Sequence, residues 1–276
     1  MGLYAIPNVI GEGSTRTGVA VRPCALRKPA VHARAADLRC EFGRGANSGA
    51  VLELWRPAGA GPFPAVLVLH SCSGVTDNTR AWAGRLVGWG YAAVIVDSFG
   101  PRNQRSLCDH TNFIPTTLRA QDAHNAAIYL RTLPDIQADR MGIIGFSHGG
   151  GTTLYAAIGE EIPVGRGGRP FQAAVAYYPP CSGGKILTPF ATDLLILVGK
   201  NDTWTPADLC VRTVEARAHQ ARPPAIKVYP GALHSFDIAY SPMLSSTGHM
   251  FGSNPEAAAD SFAMTKAFLD ARLKVK

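Results

Sequence analysis

With 276 residues, of which 46% are hydrophobic and 17% charged, the chain suits a compact fold with a sizeable core and excludes a long disordered tail. Its formal net charge of +7 comes from scattered Lys and Arg, with no basic block and no aromatic-basic interleaving, which argues against a nucleic-acid partner. No apolar run is long enough to cross a bilayer, so no membrane span is expected.

Residues 1–45 mix Gly, Arg, Pro and Ala without periodicity and are expected to form an N-terminal extension or peripheral strands ahead of a single domain over 46–276. They hold no basic segment followed by the apolar core of a signal peptide. The first clear strand is expected at 51–55. After the Gly61-Pro62-Phe63-Pro64 punctuation comes 65–69, apolar throughout, as a strand covered on both faces should be. A helix is expected over 82–89 behind Asp77 and Asn78 as caps, then an apolar run at 92–96. Ala123, Ala126, Ala127 and Leu130 mark one face of a second helix.

Further apolar runs stand at 141–146, 173–177, 194–198 and 225–229, and helix-compatible residues 152–158 follow the first of them. Thr205-Pro206 and Asn254-Pro255 each read as a cap followed by a first-turn proline, opening two more helices. Strand and helix in alternation predict an α/β fold, with a mostly parallel central sheet and helices on both faces.

Reactive groups in such sheets gather beyond the carboxyl ends of the strands. There the run 141–146 breaks into Gly145-Phe146-Ser147-His148-Gly149, the form of a nucleophile elbow. A hydroxyl is a weak nucleophile at neutral pH, so it needs a sharp turn to expose it and a base beside it. Asp202 follows the run 194–198 in a Lys200-Asn201-Asp202 turn, where it either orients an imidazole or simply caps the next helix. His234 lies in the loop after 225–229. His249, in a Gly-flanked loop, is the alternative base, whereas nothing ties His32, His110, His124 or His219 to a strand end.

Ser147, Asp202 and His234 occur in the order in which an α/β-hydrolase supplies nucleophile, acid and base. That order predicts a serine hydrolase that cleaves carboxylic esters or lactones through an acyl-enzyme, with His234 as base and Asp202 fixing its tautomer. Two backbone N–H groups should hold the oxyanion: that of His148, directly after the serine, and that of Cys72 in His70-Ser71-Cys72-Ser73-Gly74. The loops 98–115 and 236–254 are expected to shape the pocket, with Trp204, Phe99 and Tyr178 as candidates for its apolar wall. The cysteines Cys24, Cys40, Cys72, Cys108, Cys181 and Cys210 lack paired CxxC spacing, so neither a metal nor another cofactor is expected. Disulfides and reduced buried thiols both remain readings of them.

His70-Ser71-Cys72-Ser73-Gly74, Asp97-Ser98-Phe99-Gly100-Pro101-Arg102, Gly145-Phe146-Ser147-His148-Gly149-Gly150, Asp202-Thr203-Trp204-Thr205-Pro206 and His234-Ser235-Phe236-Asp237 together resemble the dienelactone hydrolase family of α/β-hydrolases, especially its exported-type branch. The resemblance runs from about Val51 to the C terminus. Members that cleave dienelactone use a cysteine nucleophile and a glutamate near the oxyanion loop; Ser147 and Ser71 stand there instead. The resemblance therefore implies a carboxylesterase of broad range acting on small-molecule esters or lactones. Arg102 either receives a substrate carboxylate or pairs with a loop carbonyl. The branch also implies the disulfide pairs Cys72 with Cys108 and Cys181 with Cys210, and a periplasmic or secreted location, the cytoplasm being the alternative. A noncatalytic binding protein on the same fold, and an acyltransferase or peptidase using the same triad, are the competing functions.

Overall fold

The computed structural model describes residues 25–27, 35–39, 49–109, 114–182 and 188–274. Within them a nine-stranded sheet runs in the order β1 (Ala25–Arg27), β2 (Ala35–Arg39), β3 (Val51–Trp55), β5 (Ala92–Asp97), β4 (Phe63–Leu69), β6 (Ile136–Phe146), β7 (Ala173–Tyr177), β8 (Leu194–Gly199) and β9 (Ala225–Tyr229). Every pairing from β5 across to β9 is parallel, while β3, β2 and β1 extend the other edge in antiparallel fashion. Each run read as a strand is one, with β6 reaching back to Ile136.

The pleat of β4 explains why its sequence is apolar throughout. Ala65, Leu67 and Leu69 enter a core shared with α2 (Thr116–Leu130), α3 (His148–Ala156) and α4 (Ala207–Glu215). Val66 and Val68 enter the opposite core, closed by α1 (Asp77–Gly88) and α5 (Pro255–Leu273). Alternate residues thus face two different helix layers, and neither face tolerates a polar residue. In the second core Trp82 is fully buried against Phe146 and Tyr177, at centroid distances of 5.2 and 5.1 Å. Truncating such a side chain costs about 3–5 kcal/mol.

Helix starts depart from expectation in three places. Asp77 and Asn78 lie inside α1; extended Thr76 precedes it, its amide donating to Thr79 Oγ1 at 3.2 Å. α3 begins at His148 rather than at 152, immediately beyond the Ser147 turn. α4 begins at Ala207 with Pro206 at the cap position, because the Thr205 hydroxyl is engaged elsewhere. α5 opens as expected: Asn254 Oδ1 accepts from the Ala257 amide at 3.0 Å, and Pro255 fills the first turn.

Chain order reverses beside β4, which has β5 on one side and β6 on the other, so the loops leaving β4 and β6 part to open a crevice. Two longer segments arch over that end. One, after β5, carries a short 3-10 turn at Gly100–Arg102; the other holds a small hairpin of β10 (Met243–Leu244) and β11 (Met250–Phe251). Disulfides join Cys72 to Cys108 and Cys181 to Cys210, the pairing implied by the exported-type branch. Cys24, Cys40, His32 and His110 lie outside the described residues.

Candidate active site

Ser147 follows β6 with φ +52° and ψ −115°, a strained conformation for a residue with a side chain. The turn closes only because its flanks lack one. A Cβ on Gly145 would meet the Gly149 carbonyl oxygen at 2.1 Å, and one on Gly149 would meet that of Leu69 at 2.3 Å. The Ser147 amide donates to the Tyr177 carbonyl at 3.0 Å, locking the turn to β7. Ser147 is 7% exposed and reaches a cleft at the mouth of the crevice.

His234 Nε2 lies 2.9 Å from Ser147 Oγ, and its Nδ1 lies 2.7 Å from Asp202 Oδ2. The two oxygens of Asp202 divide the roles the sequence offered as alternatives. Oδ1 accepts from the amides of Trp204 and Thr205 at 2.8 and 2.9 Å, which is the turn-capping role. Oδ2 faces the imidazole and lies 2.7 Å from the Thr205 hydroxyl. Burial pushes the Asp202 carboxyl up, but the hydrogen bond and charge of His234, with the donors of Thr205, bring it below the usual carboxylate range. Asp202 is therefore ionised at neutral pH.

The loops carrying the acid and the imidazole are tied together. Asn201 N donates to the Ala232 carbonyl at 3.0 Å, and Lys200 N to that of Tyr229 at 2.9 Å. The His234 ring sits between Tyr178 and Trp204, at centroid distances of 4.7 and 5.1 Å. His249 stacks on the far side of Trp204 and its Nδ1 pairs with Thr203 Oγ1 at 3.1 Å, away from the serine.

Two braces outside the triad hold these loops in place. Asp237 is a buried carboxylate that accepts from Tyr178 Oη at 2.6 Å, Trp82 Nε1 at 2.7 Å and Asn78 Nδ2 at 3.1 Å, fastening the His234 loop to α1 and to the end of β7. Arg119, fully buried on α2, donates to the His70 carbonyl at 2.8 Å and bonds His148 Nδ1 at 2.7 Å. Burial pushes its guanidinium down to about 9, with Asp122 and Asp97 opposing, and it remains charged at neutral pH. Burial and the Arg119 charge push His148 down to about 3, so its ring is neutral and Nδ1 accepts. One buried cation thus grips the loop after β4 and the residue after Ser147. The signal was an Arg and an Asp one helical turn apart on the alanine-rich face of α2.

The pocket assignments divide. Trp204 lines the Ser147 cleft. Tyr178, buried, walls an adjoining cavity. Phe99 is buried in a small cluster with Leu107 and Ile114, edge-on to His70 at 4.4 Å, so it supports the oxyanion loop and does not line the cleft. Arg102 is not available to a substrate carboxylate. It forms a two-pronged ion pair with Asp122, at 2.8 and 3.0 Å, and donates to the carbonyls of Ser98 and Gly49. Cys72 lines the cleft beside Ser147, its carbonyl accepting from Leu107 N at 2.7 Å, next to its disulfide partner Cys108.

The model of the dienelactone hydrolase family matches residues 52–273. The chain belongs to the dienelactone hydrolase family. A Bradyrhizobium sp. protein named "Probable 2-oxo-3-(5-oxofuran-2-ylidene)propanoate lactonase" is 27% identical over 194 residues, covering 66% of this chain and 77% of the relative. A dienelactone hydrolase-like promiscuous phosphotriesterase from metagenomic libraries superposes with a TM-score of 0.65 at 21% identity, over 81% of this chain and 92% of that one. An alpha/beta hydrolase enzyme from a Medee basin deep-sea metagenome gives 0.60 at 18% identity, over 82% and 94%. The fold is that of the α/β-hydrolases, and membership of the family makes this protein a hydrolase of ester or lactone type. No helix among the described residues is long and apolar enough to cross a membrane.

Proposed function

We propose that this dienelactone hydrolase family member is a serine carboxylesterase working through a Ser147–His234–Asp202 triad. The observation that carries the reading is the continuous hydrogen-bonded line from Ser147 Oγ through both imidazole nitrogens to Asp202, at 2.9 and 2.7 Å. His234 Nε2 takes the serine proton as Oγ attacks the ester carbonyl. Asp202 holds the proton on Nδ1 and stabilises the imidazolium. The tetrahedral oxyanion is held by the backbone N–H groups of Cys72 and His148, at the open end of α3, where the helix dipole favours negative charge. His234 then protonates the leaving alcohol, and a water activated by the same imidazole releases the acid from Ser147.

The intact triad geometry favours this reading over a noncatalytic binding role. The unit that carries it is read as one domain over 46–276. The two disulfides fit an oxidising compartment, and we place the protein in the periplasm or outside the cell. A panel of 4-nitrophenyl esters of rising chain length, run on the native chain and on Ser147→Ala, tests the reading. Turnover of at least one ester is expected, falling by about 10⁴-fold or more in the variant. Absence of any Ser147-dependent turnover across the panel refutes it.

A further inference from the structure

Above Ser147 lies a cleft of about 360 Å³. Trp204, Leu244, Phe251 and the Cys72–Cys108 disulfide give it an apolar wall, and most of its remaining lining bears hydroxyl groups. An acidic side chain stands at its rim: Asp109, whose carboxyl oxygen accepts from Ser246 Oγ and so links the segment after β5 to the turn of the β10–β11 hairpin. An adjoining cavity of about 190 Å³ shares Ser71, Ser73, Ser235 and Phe251 with the cleft. Among the described residues, no Lys or Arg lines either space, and the sequence places none at 110–113.

Of the cations nearest the cleft among the described residues, Arg102 and Arg119 are committed elsewhere, and Arg105, beside Ser106, is exposed and outside the lining. Arg102 is paired with Asp122, and Arg119 is sealed behind the oxyanion loop on His70 and His148. Beneath the serine, ionised Asp202 adds a second negative charge. A substrate carboxylate entering this cleft would shed hydration and meet no compensating cation among the described lining residues. It would instead face Asp109. An uncharged ester loses nothing comparable and gains the apolar wall.

We infer that the site selects uncharged esters and rejects substrates bearing a free carboxylate, with Asp109 as a specificity-determining residue at the rim. This rests on the serine carboxylesterase reading above. The chain's net charge of +7 acts in the opposite sense at long range. Salt screens that field beyond about 10 Å at 0.1 M, whereas Asp109 acts at the mouth itself.

The test uses the full chain, 4-nitrophenyl acetate, the mono-4-nitrophenyl ester of adipic acid, and its twin in which a carboxamide replaces the free carboxylate. The carboxamide twin is expected to exceed the acid in kcat/KM by about tenfold or more. Asp109→Asn should narrow that ratio severalfold, and Asp109→Lys should bring it to about one or reverse it. A native ratio of one or less overturns the inference, as does a ratio unmoved in both variants when circular dichroism shows them folded. If the acetate is cleaved in a Ser147-dependent way and the acid is cleaved as fast as its twin, the inference alone falls. If the acetate itself is not cleaved, the esterase reading falls and takes the inference with it.

Discussion

On one side of Ser147, Asp202 and His234 form a buried pair with a proton between them and an open cleft above. On the other side, buried Arg119 and Asp122 form a cluster with largely buried Arg102 and have no cleft to face. Both satisfy the demand that a buried charge be partnered. They differ in what the partner is. An imidazole can give up or accept a proton near neutral pH, whereas a guanidinium held by carboxylate and carbonyl oxygens cannot. The same burial therefore yields a reactive centre on one side and a brace on the other.

Substitutions should separate the two sides. Ser147→Ala and Asp202→Asn are expected to lower kcat by about 10⁴-fold or more and roughly 10³- to 10⁴-fold respectively. Ser147→Ala should leave the urea unfolding midpoint nearly unchanged. Arg119→Met is expected to act on stability as well, removing roughly 2–4 kcal/mol by leaving the buried His70 carbonyl and His148 Nδ1 without their donor. Urea unfolding of the two variants side by side breaks the comparison if Arg119→Met proves as stable as the native chain.

The reactive side was legible in the sequence because each of its residues lies within a short turn of the end of an apolar run, so local order alone set the nucleophile, acid and base. The brace was not, because its meaning lies in partners remote along the chain. Asp237 bonds Trp82 and Asn78 from 155 and 159 residues away. Arg119 meets His148 and His70 at separations of 29 and 49, and read locally it is an ordinary helical arginine. Arg102 was legible only as an alternative, and its Asp122 partner decided for the structural role. Thr205 misled as a helix cap because Asp202, three residues earlier, claims its hydroxyl.

Smaller effects sharpen the picture of the braced scaffold. The Cys181–Cys210 bridge joins residues 29 apart in the chain and does not line the cleft. Replacing both cysteines with serine should cost about 3–4 kcal/mol of stability by freeing the unfolded chain. Denaturant unfolding of that double variant checks the value, and ester turnover should persist at temperatures where it stays folded.

Acid should act through buried neutral imidazoles. Burial pushes His124 down to about 4, and burial with the Arg119 charge pushes His148 down to about 3. Each folded value lies below the unfolded one, near 6.5, so the unfolded chain binds more protons as pH falls beneath that value. Stability is thus expected to be intact above about pH 6.5 and to decline by about 1–3 kcal/mol per pH unit toward pH 4. Asp202 adds its loss only below the ordinary carboxylate range, since its folded value is depressed. Urea midpoints at pH 7, 5.5 and 4.5 read the slope, and a flat profile would remove the neutral-imidazole account of the brace.

The most direct test of the central claim is the intact mass of the protein moments after mixing with 4-nitrophenyl pivalate, whose hindered acyl group slows deacylation. The account predicts a gain of one pivaloyl group per chain, mapped to the peptide holding Ser147 and absent from Ser147→Ala. Release of 4-nitrophenol with no adduct on Ser147, or an adduct that survives in the Ser147→Ala variant, would contradict it.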